Sequence, residues 1–108
     1  MMKLKMVKPI VDQKKQAALR ELRQIPGVGI AVAEDFWNLG LQSVDSLRDA
    51  DPEALYQQLC DYEGVQVDRC MLYTFRCAVY YATTAQREPE LLKWWNWTDE
   101  KQAQRSTT

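Results

Sequence analysis

The chain is 108 residues long, 46% hydrophobic and 27% charged, which fits a single globular domain and excludes wholesale disorder. It contains no His, the commonest general base and metal ligand, and its four Gly and four Pro are too few for a turn-rich β architecture. The net charge of −1 hides an uneven distribution: residues 1–24 carry seven Lys or Arg against two acids, residues 25–68 one Arg against nine acids, and residues 69–108 six Lys or Arg against four acids. A basic field over the whole molecule, the usual footprint of a nucleic-acid binder, is thereby excluded, and only the N-terminal region is strongly basic.

The first ten residues are expected to form a loose arm. Lys3, Lys5, Lys8 and Pro9 interrupt it before the apolar stretch of a signal peptide develops, so the three Cys are expected to be reduced, in a cytoplasm. No apolar run approaches the roughly 18 residues that span a bilayer, and no membrane partner is expected. From Val11 the pattern is helical: Ala18, Leu19, Leu22 and Ile25 form an apolar stripe, with Lys14, Lys15, Arg20 and Arg23 on the polar face. Pro26 ends this helix, because it disfavours α geometry at Ile25 and has no N–H to donate. Gly27-Val28-Gly29 makes a tight turn, and a second helix is predicted over residues 30–39, burying Ala33, Phe36 and Trp37 before Gly40 caps it.

Ser43 or Asp45 caps a short helix through Leu47. Asp51-Pro52-Glu53 starts the next, with Leu55, Tyr56 and Leu59 inward, and Gly64 ends it. Asp68 opens the longest helix, to about Thr83; it is apolar nearly all round and belongs in the centre of a bundle. Pro89 opens a last short helix containing Leu91, Leu92, Trp94 and Trp95, and residues 101–108 read as a frayed, flexible polar tail. The expected fold is all-α, a compact bundle of five or six helices, forming one domain over residues 11–100.

The stretch Ile25-Pro26-Gly27-Val28-Gly29-Ile30-Ala31-Val32-Ala33 resembles the helix-hairpin-helix signature: an apolar residue, Pro-Gly-apolar-Gly, then a helix with Ala four residues after the second Gly. Ile25 and Val28 anchor such a turn in the core, the glycines permit it, and Ala33 lets the two helices cross closely. Amides of the turn and of the following first helical turn lack acceptors, and with the helix dipole they suit a phosphate oxygen. The resemblance implies a non-catalytic hairpin that grips DNA backbone without reading sequence, through Pro26, Gly27, Val28, Gly29 and Ile30. Lys14, Lys15, Arg20 and Arg23 are the further phosphate contacts expected. No cofactor is called for, although a monovalent cation at the hairpin is compatible with the resemblance. One departure matters. DNA-binding members carry Lys or Arg just after the second Gly, whereas this chain has Ile30, Ala31 and Val32, followed by Glu34 and Asp35, whose carboxylates repel phosphate. A protein partner is therefore the alternative occupant.

A longer resemblance covers most of the chain. Pro-Gly-Val-Gly, Asp35-Phe36-Trp37-Asn38-Leu39-Gly40, Val44-Asp45-Ser46-Leu47, Asp51-Pro52-Glu53, Leu59-Cys60, Asp68-Arg69-Cys70-Met71-Leu72-Tyr73, Phe75-Arg76-Cys77-Ala78-Val79-Tyr80-Tyr81-Ala82 and Leu92-Lys93-Trp94-Trp95-Asn96-Trp97 look like the bacterial pathogenicity locus family, small proteins sometimes labelled mitomycin-resistance proteins. That resemblance implies a helical fold similar to the amino-terminal domain of RecA-type recombinases, and implies little about activity.

Three further constellations remain. Cys70 and Cys77, one helical face and about 10.5 Å apart along the axis, are too far for an unstrained disulfide. With Cys60 they make a poor metal set, lacking His and any Cys-x-x-Cys, and read as small buried hydrophobes. Arg69, Tyr73, Arg76 and Tyr80 share a face that either stacks bases or packs against the bundle. Trp94, Trp95 and Trp97 either close the core or leave one indole exposed as an anchor for a partner or a second copy. No nucleophile elbow, P-loop or His base is present, so an enzyme is not expected.

Overall fold

The computed structural model describes residues 10–106 and the side chains of residues 13–105. Among them are five α-helices and no strand: α1 (Ile10–Leu22), α2 (Ile30–Asn38), α3 (Pro52–Glu63), α4 (Arg69–Thr83) and α5 (Asp99–Ser106). Short 3-10 turns lie at Asp45–Leu47, Pro89–Leu92 and Trp94–Trp97. The predicted all-α class is what the structure has. Of the expected arm only Ile10, the first residue of α1, is described; residues 1–9 lie outside the described residues.

The helix boundaries follow from local chemistry. Gly40 takes φ +89°, and the paired bonds Gly40 N–H to Trp37 O and Leu41 N–H to Phe36 O, both 2.9 Å, close α2 in a Schellman motif. Asp51 caps α3 by accepting from the Glu53 amide at 3.0 Å, Pro52 occupies its first turn, and Gly64 ends it at φ +77°. Asp68 caps α4 through the Cys70 amide at 2.9 Å. Helix α4 is central: Leu72, Phe75, Cys77 and Ala78 are fully buried, and it packs against α3 and all three 3-10 turns. Leu22 and Ile25 from the α1 side, Ala33 and Phe36 from α2, Leu47, and Leu55 and Leu59 from α3 complete the core around it.

The C-terminal quarter departs from the predicted single short helix. Two 3-10 turns separated by Lys93 stand there instead, and residues 101–106, expected as a polar tail, lie inside α5. The reason is competition for carbonyls. Trp97 Nε1 donates to Leu91 O at 2.8 Å and Asn96 Nδ2 to Glu90 O at 2.7 Å, which engages acceptors that a continuing helix needs. Asp99, on α5, then holds Arg69 and Arg76 of α4, so tertiary ion pairs carry a helix whose only apolar residue is Ala103.

Candidate functional site

Helices α1 and α2 pack together and are joined by the Pro-Gly-Val-Gly turn. Ile25 and Val28 are buried and tie the turn to the core, and Val28 N–H donates to Ile25 O at 3.0 Å. Ala33 is fully buried, as the close crossing of α1 and α2 requires. The two glycines differ. Gly27 sits at φ +86°, a left-handed conformation that favours glycine, with Trp94 Cδ1 lying 3.7 Å from where a Cβ would stand. Gly29 needs no such freedom: its φ is −94° and a Cβ there would meet nothing within 4 Å. As the N-terminal residue flanking α2 it offers no side-chain cap, and the amides of Gly29, Ile30, Ala31 and Val32 have no acceptor among the described residues. Ile30 beside them is exposed.

Among the described residues, one of the two carboxylates that follow is ion-paired and the other is not. Glu34 pairs with Lys15 of α1 at 3.1 Å. Asp35 is partly buried, and its carboxyl is pushed up from the ordinary value first by burial, then by the Glu63 and Glu34 carboxylates. Lys15, expected as a phosphate contact, is thus engaged within the molecule. Lys14, Arg20 and Arg23 are exposed and make no ion pair with any described residue.

The Arg69–Tyr80 stripe is engaged within the molecule, although only Arg76 of its four residues is buried. Arg69 and Arg76 both reach Asp99, Tyr73 Oη donates to the same carboxylate at 3.2 Å, and the Tyr80 ring lies 5.4 Å from Trp97. Of the three tail tryptophans, Trp94 packs beside Gly27, Trp97 is hydrogen-bonded to Leu91 O, and Trp95 remains 53% exposed. All three cysteines are free thiols, and no group of His, Cys, Asp and Glu among the described residues could hold a metal. No described helix is long and apolar enough to cross a membrane.

Burial pushes the Cys77 thiol up to about 11, and the Asp68 carboxylate raises that of exposed Cys70 more mildly. A disulfide reagent at pH 8 is therefore expected to label Cys70 alone, slowly, in the native protein, and Cys60 and Cys77 after denaturant is added. Labelling of Cys77 in the folded state would contradict the packing of α4 against the Pro89–Leu92 turn.

Arg20 and Arg23 also line a cleft of about 980 Å³ shared with Gln24, Glu21, Tyr81 and Arg87. Sequence reasoning missed Tyr81 and Arg87, because they follow the first helix at a long distance in the chain and no motif links them to it.

A sequence profile of the pathogenicity locus family matches residues 15–103. The chain is 33% identical, over 81 residues, to a Streptomyces lavendulae protein named Mitomycin resistance protein McrB, covering 75% of this chain and 73% of that one. No solved structure matches it. The motifs running from the Pro-Gly-Val-Gly turn to the Trp-rich segment are thus those of a recognised lineage, and the chain belongs to the pathogenicity locus family.

Proposed function

We propose that this protein is a non-catalytic, sequence-independent DNA-backbone binder, working in a reducing cytoplasm through a helix-hairpin-helix unit formed by α1, the turn and α2. The observation that carries this reading is Gly29. Its glycine has neither a conformational nor a packing reason, and its missing side chain leaves the amides at the start of α2 bare to an approaching phosphate. Lys14, Arg20 and Arg23 then neutralise neighbouring phosphates, and Lys15 remains on Glu34. The reading asks for no cofactor; a monovalent cation at the turn is compatible with it.

The test is a salt-series titration of a labelled duplex by fluorescence anisotropy. Affinity is expected to fall steeply with salt, with a log–log slope of at least roughly −3 for three cations. Gly29→Asp separates binding from folding. Its backbone and open surroundings accept Asp, a preferred N-cap residue, so the melting temperature holds or rises. The new carboxylate occupies the amides and repels phosphate, so affinity is expected to drop by about tenfold or more. Gly27→Asp also weakens binding but strains a left-handed residue, which lowers stability as well.

A second reading is a protein-interaction module of the same fold that binds no DNA. The exposed Trp95 and the acidic middle of the chain favour it. A titration that stays flat at low salt transfers the assignment to that reading.

A further inference from the structure

Arg20, in the last turn of α1, and Arg23, just past its end, line the cleft that also receives Arg87, from the segment after α4. Among the described residues none of these three guanidinium groups is paired with a carboxylate. The carboxylate lining the cleft, Glu21, accepts a hydrogen bond from the Val44 amide at 2.9 Å. Three positive groups against one engaged negative group leave a concave surface with a positive excess, in a molecule whose net charge is −1.

Arg87 is held in place before any ligand arrives. Its guanidinium stacks on the Tyr81 ring, 3.8 Å from the centroid, and its Nε donates to Tyr81 O at 2.7 Å. That leaves the terminal amino groups as the free end of the fork, which matches the spacing of two phosphate oxygens. A pre-positioned arginine loses less side-chain entropy on binding than a free one. The position has no role in the core: Arg87 is exposed and its stacking partner is only partly buried.

We propose that this cleft is a second phosphate site, in which Arg87, Arg20 and Arg23 together hold a phosphodiester of the bound nucleic acid. The proposal rests on the nucleic-acid reading above and adds to it a named contact, Arg87, on a different element from the helix-hairpin-helix unit. Glu21 is the brake on this site, because its charge faces the same cleft.

The experiment is the same duplex titration over a salt series, run on the full chain with Arg87→Gln, Arg87→Lys, Glu21→Gln and Gly29→Asp, each checked by thermal melting. Arg87→Gln is expected to weaken binding by about three- to tenfold and to reduce the salt slope by about one. Arg87→Lys keeps the slope and loses only part of the affinity, since the charge stays and the fork goes. Glu21→Gln keeps an acceptor for the Val44 amide and tightens binding.

The outcomes separate cleanly. If Arg87→Gln binds with wild-type affinity and slope while Gly29→Asp does not bind, the cleft proposal is overturned and the hairpin reading stands. If Arg87→Gln weakens binding and Gly29→Asp has no effect, the cleft is a phosphate site and the hairpin is not. If no protein binds, both fail. A loss of binding by Arg87→Gln that comes with a lowered melting temperature is judged on Arg87→Lys, whose retained slope supports the site and whose lost slope overturns it.

Discussion

Phe36→Ala is expected to lower stability by about 3–5 kcal/mol, a large share of the roughly 5–15 kcal/mol that holds a domain of this size together. Phe36 has no solvent exposure, and its ring lies 4.9 Å from that of Phe75, tilted by 31°. Deleting it removes the ring contact between α2 and the central helix and leaves a cavity in the core. The backbone carbonyl of Phe36 also accepts the amides of Leu39 and Leu41, so a loosened α2 loses its C-terminal motif as well. The unfolding midpoint should fall by on the order of 15 °C, read by circular dichroism. Ile30→Ala provides the contrast: Ile30 is 62% exposed, and its loss should stay within about 0.5 kcal/mol. A cost for Phe36→Ala below about 1.5 kcal/mol would show that α2 does not depend on this ring pair.

Arg76→Ala is the second large effect, expected to cost about 2–4 kcal/mol. Its side chain is 7% exposed, donating to Trp97 O at 2.9 Å, Glu53 at 2.5 Å and Asp99 at 3.0 Å. It joins α3, the Trp94–Trp97 turn and α5 to the central helix. Glu53 and Asp99 are about half exposed and regain water when the arginine leaves, so the loss is smaller than for a pair buried on both sides. The damage should be local. Tryptophan fluorescence and the helical signal of α5 should change, while the α1–α2 unit persists. Arg76→Lys should rescue little, because one ammonium cannot span three acceptors on separate elements.

The same junction has an acid limit. Hydrogen bonding from Arg69, with Arg76 and Tyr73, holds the Asp99 carboxyl below its ordinary value of 3.8, against a smaller opposing effect of burial. A depressed carboxyl stabilises the fold fully above its unfolded value, and that contribution disappears as pH falls through the folded value. Tryptophan fluorescence is therefore expected to be flat from neutral pH to about 4 and to change below it. Asp99→Asn should weaken α5 docking at neutral pH and remove that acid step. A wild-type transition near pH 6 would point to a different group.

Much of this architecture is written in short stretches of residues. Gly40, Asp51-Pro52-Glu53, Gly64 and Asp68 each act on amides within a few positions of themselves, so their order along the chain sets where α2 ends, where α3 begins and ends and where α4 begins; α1 instead stops at Leu22, before the expected stop at Pro26, and Gly29 has no conformational need of glycine. The apolar period of residues 18–25 and 71–82 names the buried faces for the same reason. The Pro-Gly-Val-Gly turn and the family motifs are equally local, which made the candidate hairpin legible before any coordinates.

What folding added is everything that depends on two distant side chains meeting. Lys15 reaches Glu34 and is engaged within the molecule. Asp99 gathers Arg69, Tyr73 and Arg76, engaging within the molecule a stripe that could have faced bases, and α5 forms from residues that carry no apolar stripe. Arg87 comes to lie with Arg20 and Arg23. Charged side chains are long and indifferent to local periodicity, and their Coulomb partners are chosen by proximity in space. Chain order constrains backbone hydrogen bonds over one helical turn, whereas ion pairs and clefts exist only once the core has brought the helices together.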